Sequence, residues 1–212
     1  MGLLSADNHT PRPSSQPDGG PDAPNLARPV TDLADPNPER RWEAALSARG
    51  EPTGVDAVLA RLPVEPDLAV RQALFDALAA TGGPVAARGL VDLLRSEDAH
   101  LRNEAIAALA ELPDDVPDLI DTMLTADDPD VRIFTVNVLR DLRHPQTTAW
   151  LTRVIAEDTH PNVVGTALDH ALELADPAMA PAALAARTRF ADDPYVAFVC
   201  GLLLDRIEGS AS

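Results

Sequence analysis

Val131, Phe134, Val138 and Leu142 are spaced three and four apart and fall on one face of a helix, and Ile133 and Val136 widen that face. So broad an apolar arc suits a helix packed between neighbours on two sides. The stretch that carries it, ADDPDVRIFTVNVL from Ala126, has counterparts at VEPDLAVRQALFDAL from Val64, SEDAHLRNEAIAAL from Ser96 and ADDPYVAFVCGLLL from Ala191. Each is an Ala/Leu-rich run with helical spacing, where a strand would favour β-branched and aromatic residues.

Aligned on Val-Arg, the copies place an arginine slot at Arg41, Arg71, Arg102, Arg132, Val164 and Ala197, at intervals of 30 to 33 residues. That period belongs to stacked supersecondary units. Four positions earlier stand Asn37, Asp67, Asp98, Asp128, His160 and Asp193. Asp and Asn there predict helix N-caps, and Pro38, Pro129, Pro161 and Pro194 suit the first helical position, where the missing N–H costs nothing. The slot arginine lies one turn from its own cap and could pair with it, or reach the cap of the neighbouring repeat. Pro52, Pro84, Pro113, Pro145 and Pro177 end the first helices, so second helices are expected over residues 53–62, 84–95, 115–125, 146–157 and 178–190.

Helix pairs of this period, opened by Asp-Pro-x-Val-Arg and followed by Ala/Leu runs, resemble HEAT repeats of the short bacterial type first described in phycobilisome lyases. The resemblance implies an all-α, right-handed α-solenoid of about five helix-pair repeats with a C-terminal capping helix, whose second helices line a concave surface. It fixes no activity, because this repeat type carries scaffolds, maturation factors, bilin lyases and DNA glycosylases alike. The domain reading is a disordered, Pro-rich tail over residues 1–30, a solenoid over 31–207 and a flexible C-terminus over 208–212.

Composition narrows the choice. With 45% hydrophobic residues and 3% aromatics, the core is built from Ala, Leu and Val. A formal charge of −17, with 17 basic residues that are all arginine, opposes nucleic acid as a partner. One cysteine, Cys200, permits no internal disulfide or multi-cysteine metal site. No signal peptide or run of 18 apolar residues appears, so a cytoplasmic protein away from membranes is expected.

The residues point to binding before catalysis. No nucleophile and base set, phosphate loop or metal motif is present, so no catalytic residue, metal or cofactor is assigned. Apolar spacing directs Asp56, Arg88, Asp92, Asp118, Asp121, Arg153 and Arg187 outward from the second helices, as a charged face for a protein partner. In the last helix Tyr195, Phe198 and Leu202 belong to a segment apolar on every side, a candidate docking face or homodimer seam. Repeat five departs from the pattern, with His160 at the cap, Val164 at the arginine slot and His170 at a core position; a capping His160 and a hydrogen-bonded core His170 are expected. The leading function is a non-enzymatic scaffold, adaptor or assembly factor. The alternative, which the resemblance implies, is a phycobilin-lyase-like, tetrapyrrole-handling protein using His160, Asp158 and Arg153. Trp150 reads as core, and Trp42 as a contact capping the open end of the stack, with a partner anchor as the alternative.

Overall fold

The computed structural model describes residues 30–210. The expected tail lies outside the described residues apart from Val30, which opens a 3-10 turn, Val30–Ala34. The described residues form eleven α-helices and no strand. One row holds α1 (Pro38–Ser47), α3 (Leu68–Thr81), α5 (Ala99–Ala110), α7 (Pro129–Asp141), α9 (Pro161–Leu174) and α11 (Pro194–Ser210). The other holds α2 (Val55–Arg61), α4 (Gly83–Leu93), α6 (Pro117–Leu124), α8 (Thr147–Glu157) and α10 (Ala180–Arg189). Successive odd helices pack on one another along the whole stack, and each even helix packs on the odd helix that follows it. The result is an α-solenoid with one continuous core from Leu33 to Ile207.

Second helices fall where the prolines put them, with edges set by local chemistry. α2 is shortened by 3-10 turns at Pro52–Gly54 and Leu62–Val64, because Pro63 has no N–H to continue the α ladder. α6 starts at Pro117, later than expected, since Pro fits the first helical position. α11 runs to Ser210, so residues 208–210, read as flexible, are helical; residues 211–212 lie outside the described residues.

Five of the six caps act as their residue types dictate. Asn37, Asp67, Asp98, Asp128 and Asp193 accept first-turn amides, as in the 2.9 Å bond from Ala69 to Asp67 and the 3.0 Å bonds from Tyr195 and Val196 to Asp193. His160 is the exception: its side chain caps nothing, and its Nδ1 is buried without a hydrogen-bond partner among the described residues. The capping role expected of it is therefore corrected. An imidazole is bulkier than a carboxylate, and here it accepts none of the first-turn amides.

The slot arginines share a geometry that the repeat alone did not specify. Each donates backward to the carbonyl six residues earlier: Arg41 to Asp35 at 2.8 Å, Arg71 to Glu65 at 2.8 Å, Arg102 to Ser96 at 2.6 Å and Arg132 to Ala126 at 2.7 Å. Each also reaches forward into the next repeat. Arg41 grips Glu65 through two 2.8 Å bonds, Arg71 reaches the cap Asp98 at 3.1 Å, and Arg132 holds Asp158 at 2.7 and 3.2 Å. Arg102 instead lies over the Phe134 ring, 5.4 Å from its centre. Of the two pairings open from the sequence, Arg71 alone forms one, to the neighbouring cap; Arg41 and Arg132 take instead the carboxylate two residues before that cap. The planar guanidinium, with five donors in a fixed fork, bridges a loop carbonyl and a carboxylate in a bidentate geometry that a lysine ammonium does not match.

The carboxylate two residues before the cap completes the joint. Glu65 accepts Arg41, Arg61 and the Asp67 N–H together, while Asp35 and Asp158 accept the N–H of Asn37 and His160. Burial pushes the Glu65 carboxyl up, but these three hydrogen bonds outweigh it and hold it at about 2. Turns on the other edge add further ties. Gly82 and Gly83 take φ of 63° and 85°, which only glycine adopts without strain, and this lets the Gly83 N–H meet Asp115 of the next repeat at 2.8 Å.

Two outcomes follow for stability. Because Glu65 is held below its ordinary 4.5, its contribution is complete above that pH and is lost as the pH falls toward about 2. Glu65→Gln, which leaves Arg41 buried without its charge partner, is expected to cost about 3–5 kcal/mol at neutral pH and to flatten that acid limb in chemical denaturation. His160→Asp restores the missing cap and is expected to add about 1 kcal/mol, raising the calorimetric Tm by about 2–4 °C.

Candidate functional site

The even helices bury one side and present the other. Val55 and Val58, Ala86, Ala87 and Leu90, and Ile120, Met123 and Leu124 enter the core from α2, α4 and α6. Trp150, Leu151, Val154 and Ile155 do so from α8, which places Trp150 in the core as its spacing predicts. The opposite sides carry the charges read from spacing. Asp56, Arg88, Asp92, Asp118, Asp121 and Arg187 are exposed and Arg153 is half-buried.

Geometry joins two of these. Arg153 on α8 donates to Asp121 on α6 at 2.6 Å, so the acidic group and the arginines meet at this point. Asp92 stands 3.9 Å from Arg95 in the turn that follows α4. The other members of the set lie along the row without bringing a catalytic cluster together. Among the described residues no group of three or more His, Cys, Asp or Glu side chains could hold a metal ion, and no helix is long and apolar enough to cross a membrane.

The residues of repeat five go to separate places. His170 is buried, with Nδ1 3.1 Å from the Val136 carbonyl of α7, so the neutral ring donates from that nitrogen. His144 stacks on Trp150 with ring centres 4.9 Å apart. Asp158 is taken by Arg132 and by the His160 N–H, and Arg153 by Asp121. Of the three residues named for a tetrapyrrole, Asp158 and Arg153 are thus engaged in the fold, while the His160 side chain is not, among the described residues.

The last helix is two-sided. Val196, Val199, Cys200, Leu203 and Ile207 are buried, whereas Tyr195, Phe198 and Leu202 are 52%, 62% and 41% exposed along one stripe. Tyr195 lies against Gly165, where a Cβ would stand 3.0 Å from its ring, and donates to Asp169 at 2.6 Å. That bond, with burial adding, pushes the phenol up to about 12. Burial raises the Cys200 thiol as well, against the opposing charges of Arg187 and Arg189. Sequence reasoning missed the joint at the far end of α10, where Arg189 donates to the Ile155 and Ala156 carbonyls in the last turn of α8 at 2.7 and 2.6 Å. Two arginines at the end of α10 are the signal that could have found it, since cations complement a helix C-terminus.

A family model described as HEAT repeats matches residues 28–110 and 116–202. Two solved structures of engineered proteins are similar to the chain. One is 19% identical, covering 85% of this chain and 95% of its own with a TM-score of 0.40. The other is 18% identical, covering 85% and 97% with a TM-score of 0.43. The complex of CpcE and CpcF of phycocyanin lyase from Nostoc sp. PCC7120 is 20% identical, covering 92% of this chain and 100% of that chain with a TM-score of 0.37. No curated protein sequence matches the chain.

His170 supplies a test of its own position. Burial, with the Arg140 charge adding, holds its imidazole below the ordinary 6.5 against the opposing Val136 bond, Glu173 and Asp169. The unfolded chain therefore binds a proton more readily, so stability is complete above that value and declines as the pH falls below it. Denaturation from about pH 7 to about pH 5 is expected to show this decline, and His170→Gln to flatten it.

Proposed function

The chain belongs to the HEAT-repeat family, and from that premise we propose that it is a non-enzymatic interaction scaffold, an adaptor or assembly factor that holds a protein partner along the outward face of its even helices. The observation that carries this reading is the exposure of Asp92, Asp118 and Asp121 on α4 and α6, while the apolar residues of the same helices enter the core. A repeat protein stacks its helices into an extended surface that suits a long partner segment. The formal charge of −17 makes that surface favourable to a basic or neutral protein, since like charges repel a phosphate backbone. Arg153 tempers the acidic run at its C-terminal side, and Arg88 and Arg187 give it local positive points, so a partner would read a pattern of signs and not a uniform field.

The exposed stripe of Tyr195, Phe198 and Leu202 is proposed as a secondary docking face at the end of the stack. Apolar side chains gathered on one side of a terminal helix lack the polar outer surface that solenoid ends normally carry.

The test exchanges Asp92, Asp118 and Asp121 together for Asn. These are exposed side chains, so the Tm and helical circular dichroism should stay unchanged. In affinity purification at low salt followed by mass spectrometry, the wild-type chain should retain a salt-sensitive, stoichiometric protein partner, and the triple variant should bind it at least about tenfold more weakly. Equal retention by the folded triple variant would remove the acidic face as the binding surface.

A further inference from the structure

Trp42 stands half open beside the first seam of the stack. It is 43% exposed and lines a groove of about 420 Å³ between the first turns of α1 and α3, beside Pro38, Ala69 and Val70. Glu39, Glu43 and Asp67 line the same groove. Asp67 accepts the Ala69 and Val70 amides through Oδ1, which leaves Oδ2 and the Glu39 carboxylate without a hydrogen-bond donor among the described residues. The first-turn amides that would repel a cation are in this way already satisfied.

The last seam of the stack shows how such a groove is filled. Gly165 follows the arginine slot in α9 as Trp42 does in α1, and Tyr195 stands two residues after its cap as Ala69 does. In the last seam the ring comes from the following helix and seats on glycine. In the first seam the ring belongs to the preceding helix and the following helix offers only Ala69, so space remains beside an aromatic face. Elsewhere the chain itself places guanidinium groups over aromatic rings, Arg102 over Phe134 at 5.4 Å and Arg189 over Phe190 at 4.9 Å. Trp42 has the strongest π-face of the aromatic side chains, and among the described residues no cation lies over it.

We propose that this groove receives an arginine side chain from a basic segment of a partner protein, with the guanidinium stacked on Trp42 and its N–H groups directed to Glu39 and Asp67. Charge complementarity selects the occupant: two carboxylates without donors, one aromatic face, and a chain of net charge −17. Arginine fits better than lysine because its planar head both stacks and donates in two directions. The groove lies on the odd row, so it stands or falls separately from the acidic face of α4 and α6.

The probe is an acetylated, amidated tetra-arginine peptide titrated into the full chain by calorimetry, with tetra-lysine and tetra-glutamate for comparison. Tryptophan emission is followed in parallel. Saturable tetra-arginine binding is expected, with shielding of Trp42 from acrylamide, weaker binding of tetra-lysine, none of tetra-glutamate, and affinity falling as salt rises from about 10 mM to about 300 mM. Trp42→Ala and Glu39→Gln should each reduce affinity, the former by about tenfold, while Trp42→Phe keeps most of it. Circular dichroism of the variants establishes that they fold, which the exposure of both side chains favours. Three results would overturn the proposal: no saturable binding, equal binding by wild type and folded Trp42→Ala, or emission that depends on protein concentration and not on peptide. The second would mean counterion attraction to the whole surface, and the third would give the groove to a second copy of the chain.

Discussion

A helix that ends in a tight loop leaves carbonyls facing inward, and a helix that starts after that loop leaves amides exposed; stacking thirty-residue units multiplies both deficits at every joint. The arginine fork settles them in one residue. Arg41, Arg71, Arg102 and Arg132 each tie down the loop carbonyl before their own helix and hold a group on the next repeat, so entry loop and neighbour are fixed by the same side chain. The Asp or Asn cap handles the amides, and the carboxylate of Glu65 or Asp158 links cap and fork. Ala and Leu then fill a core thin enough that few aromatics are needed.

Because the arginine forks stand on the odd row, the even row adds few polar ties of its own to the joints, Arg61 on Glu65 and Arg189 on the α8 carbonyls among them. The exposed charges outside those ties can differ from repeat to repeat without disturbing the stack, which is the condition under which a repeat protein can specialise its surface. The single link between those charges, Asp121 to Arg153, is exposed and so contributes little to stability. Repeat five differs: where a histidine replaces a cap and a valine replaces the fork, Asp158 and His170 bond to neighbouring repeats, and the His160 Nδ1 is left without a partner among the described residues.

Much of this was legible in one dimension. The cap and arginine slots recur at a fixed period, and helical spacing alone sends Asp56, Arg88, Asp92, Asp118, Asp121 and Arg187 to the solvent side, where they are found. What spacing does not carry is the distance between helices. That distance decides that Arg71 reaches Asp98 of the next repeat and not Asp67, and that Arg153 meets Asp121. The failed cap at His160 was hidden for a related reason, since the position in the repeat was right but the ring points elsewhere. The groove beside Trp42 was not legible at all, because it depends on Ala69 opposite, a residue that no local pattern marks as its neighbour.

The seams are not chemically alike from one end to the other. The first joints are closed by charged forks on carboxylates, and the last, between α9 and α11, by a neutral phenol on Asp169 and by apolar contact around the buried Val164. A stack whose units hold only their neighbours depends on every one of its joints, and here the joints are built from different chemistry. The Glu65 fork at the front holds only while its carboxyl is ionised, and the Tyr195 bond at the back holds only while its phenol keeps the proton it donates. The two ends of the molecule are therefore locked by opposite states of protonation.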